Sequence, residues 1–307
     1  MDSARVLLTG ASGMLGKVLA KRLVSSYEVV GVSKSGRAGT TACDLGDRTQ
    51  VRDLFKAGRY ALVIHAAAYS DVDGCEKDPG MAHASNALST KNLAEECAAF
   101  KTPFIYVSTD YVFDGRKSAA YIETDKTFPV NIYGLTKLEG EFYAKNIPAV
   151  SAIVRTSWLF GPDNPNNFVN AVITRLKVQK IARVLDDQED CPTYVADLSD
   201  ALQKIGEYMI SLVKKTPDAA WHEVFHVCNR GGTTRYALTL KIKELLGWSD
   251  TKVEKLEDSQ IPNRIAVRPA YAVMSARHYE EFFKTNLRPW EESLKEYLNG
   301  AVLCGSL

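Results

Sequence analysis

The hydrophobic positions of this chain change their rhythm along its length. Through the first ~155 residues short apolar runs alternate with amphipathic stretches of helical period. The runs Val6–Thr9, Val29–Val32, Leu62–Ala66, Phe104–Ser108 and Ala152–Arg155 predict strands. Between them Met14–Ser25, Arg48–Phe55, Met81–Phe100 and Tyr133–Ala144 predict helices. Ala61-Leu-Val-Ile64 is apolar throughout, which suits a strand covered on both faces. Alternation of this kind predicts an α/β fold built on βαβ units with a parallel sheet.

After Arg155 the alternation loosens. A loop rich in proline and asparagine, Gly161-Pro-Asp-Asn-Pro-Asn-Asn167, leads into a helix near Phe168–Val178. A long helix is expected over Ala196–Lys214, then a strand around Phe225 and a helix around Tyr236–Leu246. The division expected is a first domain over residues 1–160, to which later segments return, and a smaller lobe formed mainly by 161–307. No internal repeat or low-complexity tail interrupts the chain.

Composition narrows the function classes. Of 307 residues 46% are apolar and 24% charged, as in a soluble globular protein. The net charge of +1 points to neither nucleic acid nor an anionic membrane surface. No run approaches the ~18 apolar residues of a membrane span. Met1-Asp2-Ser3-Ala4-Arg5 is expected to enter a strand at once, which leaves no room for a signal peptide and places the protein in the cytoplasm. The six cysteines, Cys43, Cys75, Cys97, Cys191, Cys228 and Cys304, are scattered without a Cys-x-x-Cys pair and read as reduced thiols. His222 and His226 could share a strand face, but no carboxylate cluster accompanies them, and no metal is expected.

Two motifs carry chemistry. Thr9-Gly10-Ala-Ser12-Gly13-Met14-Leu15-Gly16 directly follows the first strand and opens the first helix. Glycines there allow a tight turn and let backbone N–H groups approach a pyrophosphate at the helix N-terminus. That is a dinucleotide site of the Rossmann type, in a doubly wound sheet. The second strand ends in Ser33-Lys34-Ser35-Gly36-Arg37, with no acidic residue to hold a ribose 2′-hydroxyl. Hydroxyls with Lys34 and Arg37 suit a 2′-phosphate, so NADP(H) is favoured. If the two cations are only solvated loop charges, NAD(H) is admitted as well. Asp44, followed by Leu45, either accepts from an adenine amino group or caps the next helix. The second motif is Tyr133-Gly-Leu-Thr-Lys137. Residues four apart share a helix face, so a phenol stands beside an ammonium that favours its ionised form.

With Ile64-His-Ala66-Ala67-Ala68, Ser108-Thr-Asp-Tyr-Val-Phe-Asp-Gly115, Arg155-Thr-Ser-Trp-Leu-Phe-Gly161, Asp187-Gln188, Pro192-Thr-Tyr-Val-Ala-Asp-Leu198 and Val267-Arg-Pro269 in order, the chain resembles the extended short-chain dehydrogenase/reductases. Within them it looks most like the dTDP-4-dehydrorhamnose reductase family, over nearly its whole length. The resemblance implies that Tyr133 protonates the substrate oxygen. Lys137 would bind the nicotinamide ribose and lower the Tyr133 pKa, and Thr109 would orient the carbonyl. It implies that Ala66, Ala67 and Ala68 line the cofactor cleft, and that Asn86 has a structural or relay role. Asp110, Tyr111 and Trp158 would contact the sugar, and Arg268 the diphosphate. A homodimer is the family's prior.

The chain departs from the family pattern twice. Ile132 stands where proline usually precedes the tyrosine, and Asp190 where a glycine is usual. An acidic residue near a diphosphate is repulsive. Plainer readings stand beside several assignments: Trp158 as core, Arg268 as a surface turn, His65 as a satisfied core histidine, Arg155 as the partner of a buried carboxylate, and Glu139 and Glu141 as a solvated helix face. The function expected is NADPH-dependent reduction of the C4 keto group of a nucleotide-linked 4-keto-6-deoxy sugar, dTDP-4-dehydro-L-rhamnose to dTDP-L-rhamnose. The alternatives are another nucleotide-sugar reductase or epimerase, and an NADP-binding regulatory subunit of methionine adenosyltransferase.

Overall fold

The structure, a computed structural model, describes residues 4–37, 39–256 and 264–303, leaving aside the side chains of 302 and 303. Cys304, Pro262 and Asn263 lie outside the described residues. Six strands come from the first half of the chain: β1 (Arg5–Thr9), β2 (Glu28–Ser33), β3 (Thr41–Ala42), β4 (Leu62–His65), β5 (Phe104–Thr109) and β6 (Ser151–Thr156). A seventh, His222–His226, arrives from far downstream. Together they form one sheet in the order His222–His226, β6, β5, β4, β1, β2, β3, with every pairing parallel. The chain winds from β1 outward to β3, then returns to lay β4 on the other side of β1. That reversal opens a crevice beyond the carboxyl ends of β1 and β4.

Strand side chains alternate between two cores. Val6 and Leu8 pack on one face with Leu15, Leu19, Leu198, Leu202 and Phe225. Leu7 packs on the other with Val51, Phe55, Leu93, Phe104 and Tyr106. β4 and β5 are buried at every residue, apolar through most of their length and ending in the polar His65, Ser108 and Thr109. Each large side chain so buried contributes about 1.5–3 kcal/mol.

Helix α1 (Met14–Leu23) buries Leu15, Leu19 and Leu23, one side chain every turn. Its N-cap is Gly13, with no side chain over the first turn, so its leading N–H groups point at the crevice. α2 (Arg48–Ala57) is capped by Asp47, whose carboxylate accepts from the N–H of Thr49 and of Gln50. Asp44, for which the sequence left open a capping role, does not cap this helix.

A further core lies apart from the two on the sheet, in which Phe160, Val172, Leu176, Val184, Leu238, Ile242, Trp290 and Leu294 pack together. A parallel pair of strands, Ile181–Leu185 with Lys252–Leu256, braces it. The helices expected near 168, 196 and 236 form as Phe168–Gln179, Val195–Lys215 and Arg235–Leu245. The periodicity reading did not find the Lys252–Leu256 strand or the helices Arg277–Phe283 and Trp290–Leu303.

Candidate active site

A cleft of about 1150 Å³ lies at the sheet's reversal point. Gly10 begins it with φ +68°, a backbone conformation that L side chains rarely adopt. A Cβ there would lie 2.8 Å from Ala67 N, so only glycine lets the β1 turn lie against the chain leaving β4. Ser12, Gly13, Met14, Leu15 and Gly16 continue this wall, and Ala66, Ala67 and Ala68 face them. Ser33, Lys34, Asp44 and Leu45 line the outer end. Lys34 and Asp44 form an ion pair at 2.8 Å, which holds the Asp44 carboxyl below the usual range. Arg37 is exposed and does not line the cleft; among the described residues only its carbonyl is engaged, accepting from Thr40. The fit to a dinucleotide is therefore good at the turn and at Lys34, and does not draw on Arg37.

The inner end carries Thr109, Asp110, Tyr111, Tyr133, Lys137 and Trp158. Thr109 closes β5, and Asp110 and Tyr111 follow it in a single helical turn. Tyr133 and Lys137 stand on the helix Ile132–Lys145, whose start is set by Asn131. The Asn131 side chain accepts from Gly134 N at 2.8 Å and donates to Val267 O at 2.8 Å, so it ties that helix to the C-terminal segment. Ile132 is held where proline is usual by a backbone N–H donated to Glu76 at 2.8 Å. Lys137 is 2% exposed and donates to Val107 O at 2.8 Å. Burial pulls its pKa down to about 7, against the opposing pull of Glu141. Burial and the Asp110 charge raise the Tyr133 phenol, and a hydrogen bond with Thr109 works the other way. The sequence led us to expect that Lys137 would lower the Tyr133 pKa. In this structure the desolvation of the phenol outweighs any such effect, and the ammonium is turned to a backbone carbonyl.

Trp158 sits at φ +37°, a strained position for a bulky residue, packed against the core of Phe160, Val172 and Trp290. The Arg235 guanidinium lies 4.6 Å from its ring centre and 4.6 Å from that of Phe168. Beyond it opens a second cavity, about 510 Å³, lined by Arg175, Arg183, Arg235, Arg264 and Arg268. Arg268 is braced by Asp73 at 2.6 Å, and Arg264 by Asp187 at 2.9 Å. No local pattern pointed to Arg175 or Arg235, which come from two different helices. Three buried side-chain atoms around the two cavities have no hydrogen-bond partner among the described residues: Asp110 Oδ2, Thr156 Oγ1 and Gln188 Nε2.

Several supporting residues differ from expectation or sharpen it. Glu141 is not on a solvated face. Arg155 clamps it with two bonds of 2.9 and 2.7 Å, both side chains 6% exposed, and Ser108 donates to it at 2.6 Å. The period of the helix could not show this, because the burying partner comes from β6. Glu139, by contrast, meets His83 and Tyr143 near the surface. Asn86 is buried in a π-helical turn, accepting from Tyr69 N and donating to Tyr69 O and Thr136 Oγ1. His65 lies between Thr9 and Thr90 in the core. His226 faces Tyr121 O at 3.2 Å, and His222 faces Ser151 at 2.8 Å. Among the described residues no three His, Cys, Asp or Glu side chains gather as a metal site, and no helix is long and apolar enough to cross a membrane.

Comparison with known proteins agrees in extent with this geometry. The model of the RmlD substrate binding domain matches residues 4–302. A dTDP-4-dehydrorhamnose reductase of Streptomyces griseus is 35% identical over 302 residues, covering 98% of this chain and 94% of that protein. The spore coat polysaccharide biosynthesis protein SpsK of Bacillus subtilis (strain 168) is 33% identical, covering 96% of each. Among solved structures, dTDP-4-dehydrorhamnose reductase from Bacillus anthracis in complex with NADP superposes with a TM-score of 0.87 at 30% identity, covering 98% of this chain and all of that one.

Proposed function

The chain belongs to the family defined by the RmlD substrate binding domain, and from that premise we propose that it is an NADPH-dependent reductase of a nucleotide-linked 4-keto-6-deoxy sugar. The first substrate to test is dTDP-4-dehydro-L-rhamnose. One observation carries the reading. The cleft that suits a dinucleotide ends at Thr109, Tyr133 and Lys137, and Trp158 with Arg235 joins that end to a cavity walled by guanidinium groups. A sugar linked to a diphosphate needs both: an acid beside its carbonyl and cations along its phosphates.

Bound NADPH supplies the hydride that reduces C4. The chain's own residues do the rest. Gly10, Gly13 and the first turn of α1 receive the pyrophosphate, and Ser33 and Lys34 the 2′-phosphate. Tyr133 gives its phenolic proton to the developing alkoxide, a role suited to a phenol held protonated by burial. Thr109 orients the same oxygen, and Lys137 stands under the helix face that carries Tyr133. Arg235 and Arg268 hold the diphosphate, with Asp73 fixing the Arg268 rotamer. The acidic Asp190 is buried beside Asp110 and does not line the arginine cavity, so it does not repel the phosphates there.

The test is NADPH oxidation with the keto sugar generated in situ, alongside NADH and a control without sugar. We expect rapid oxidation that falls by at least about 100-fold in Tyr133→Phe, with NADPH binding unchanged by fluorescence titration. Binding of NADPH with no turnover of the sugar would overturn the reading.

A further inference from the structure

Thr156 ends β6 and lies directly across from Thr109, which ends β5. It is 5% exposed and lines the main cleft. Among the described residues its Oγ1 is the one buried hydroxyl with no hydrogen-bond partner. Neighbouring hydroxyls are engaged. Thr109 Oγ1 donates to Asp110 at 2.8 Å, Ser108 to Glu141 at 2.6 Å, and Ser157 to Cys191 O at 2.7 Å. A hydroxyl stripped of water and left unpaired destabilises the free protein, so its place on the cleft wall calls for a partner from outside the chain.

We propose that Thr156 Oγ1 holds the carboxamide of the nicotinamide ring, which rests on the NADPH-dependent reductase reading above. The parts of the cofactor follow the strand order. Ser33 and Lys34 lie at the carboxyl end of β2, the glycine turn at that of β1, Ala66, Ala67 and Ala68 at that of β4, and Thr109 at that of β5. Thr156 is the next position on this line, one strand spacing of about 4.8 Å from Thr109. In a nicotinamide the carboxamide sits on the ring carbon next to the one that carries the hydride. A ring whose hydride faces a carbonyl at Thr109 therefore carries its amide toward a neighbouring strand. β4 offers only alanine side chains there, whereas β6 offers the Thr156 hydroxyl.

Strand alternation also sets Thr156 on the face of β6 that bears Ala152 and Val154, which pack with Leu15 and Leu19 of α1. That is the face on which α1 receives the pyrophosphate, whereas the arginine cavity opens past Trp158 and Arg235. The chemistry matches as well. A primary amide presents two donors and an acceptor, and a hydroxyl can answer either. On the reductase reading the other polar groups have partners already: the phosphates at the glycine turn and Lys34, the nicotinamide ribose at Lys137, and the substrate carbonyl at Thr109 and Tyr133. Holding the amide fixes the rotation of the nicotinamide ring, and with it the carbon from which the hydride leaves. Thr156 is thus a cofactor-binding residue.

The experiment is calorimetric titration of the full chain with NADPH and, separately, with 2′-phosphoadenosine diphosphoribose, which is the cofactor without its nicotinamide. The wild type, Thr156→Val and Thr156→Ser are compared, and the thermal stability of each is measured without cofactor. Valine keeps the shape and removes the hydroxyl, and serine keeps the hydroxyl. In Thr156→Val the Kd for NADPH should rise roughly 3–10-fold, the loss of one hydrogen bond, while the Kd for the nicotinamide-free ligand stays within about twofold. Without cofactor Thr156→Val should be at least as stable as the wild type, since it removes an unpaired buried polar atom. Thr156→Ser should bind NADPH within about twofold of the wild type. Equal NADPH affinity in the wild type and Thr156→Val overturns the proposal, and a raised KM for the keto sugar in that variant then gives the hydroxyl to the substrate. An equal loss for both ligands also overturns it, because the residue then acts away from the nicotinamide. So does a loss of stability without cofactor, which shows the hydroxyl to be satisfied within the fold. These outcomes leave the reductase reading standing, and that reading fails separately if the wild type binds NADPH and reduces no sugar. A wild type that binds no NADPH overturns both.

Discussion

Arg155 and Glu141 show how much one residue's role depends on what buries it. Their paired bonds, with Ser108 on the same carboxylate, sit under the helix that carries Tyr133 and Lys137. Removing one partner strands a buried charge. We expect Arg155→Met to destabilise the protein by roughly 3–5 kcal/mol in chemical denaturation, and Arg155→Met with Glu141→Leu to recover most of that loss. A single variant as stable as the wild type would show that the pair is not desolvated. The same logic separates the two acidic neighbours on this helix. Glu139 and Glu141 are two positions apart and look alike in the sequence, yet only Glu141 lies under β6.

At the scale of elements, the site depends on where helices begin. Asn131 caps the helix of Tyr133 and Lys137 and also holds Val267 O from the C-terminal segment. Asn131→Ala is expected to cost about 1–2 kcal/mol, a normal price for a lost N-cap. It should also lower kcat more than it raises the KM for NADPH, because it releases the helix carrying the acid. Thermal denaturation with steady-state kinetics checks both, and a stability loss without a kcat effect would separate the cap from the chemistry. The longer strands of the seven-stranded sheet, the first helices and the glycine turn were legible from period and punctuation, whereas the strand pair Ile181–Leu185 and Lys252–Leu256 was not. The short pieces β3, Glu189–Asp190 and Thr233–Thr234 were not, because two residues carry no period.

At the scale of the whole molecule, the second cavity is assembled from helices at 168–179 and 235–245, the strand at 181–185 and the segment around 264–268. No local pattern marks these arginines as neighbours, since each is one cation on its own element. Arg235 is the most informative, because its guanidinium lies against Trp158 and Phe168 and joins the two cavities. Arg235→Ala is expected to raise the KM for the nucleotide sugar by roughly 10–100-fold, the loss of one charge-assisted phosphate contact. The Kd for NADPH should be unchanged. A matching loss of NADPH affinity would place Arg235 on the cofactor instead.

The sequence by itself determined the parallel α/β layering, the glycine turn at the end of β1 and the order of the Thr109, Tyr133 and Lys137 motifs. Each of these rests on spacing along the chain, and spacing survives without a fold. Tertiary structure alone decided which side chains lost water and which charges met. It buried Glu141 against Arg155, raised the Tyr133 phenol, turned Lys137 toward Val107 O and gathered the arginines. The physical reason is that desolvation and Coulomb terms act through space, between residues whose separation in sequence carries no information about their distance.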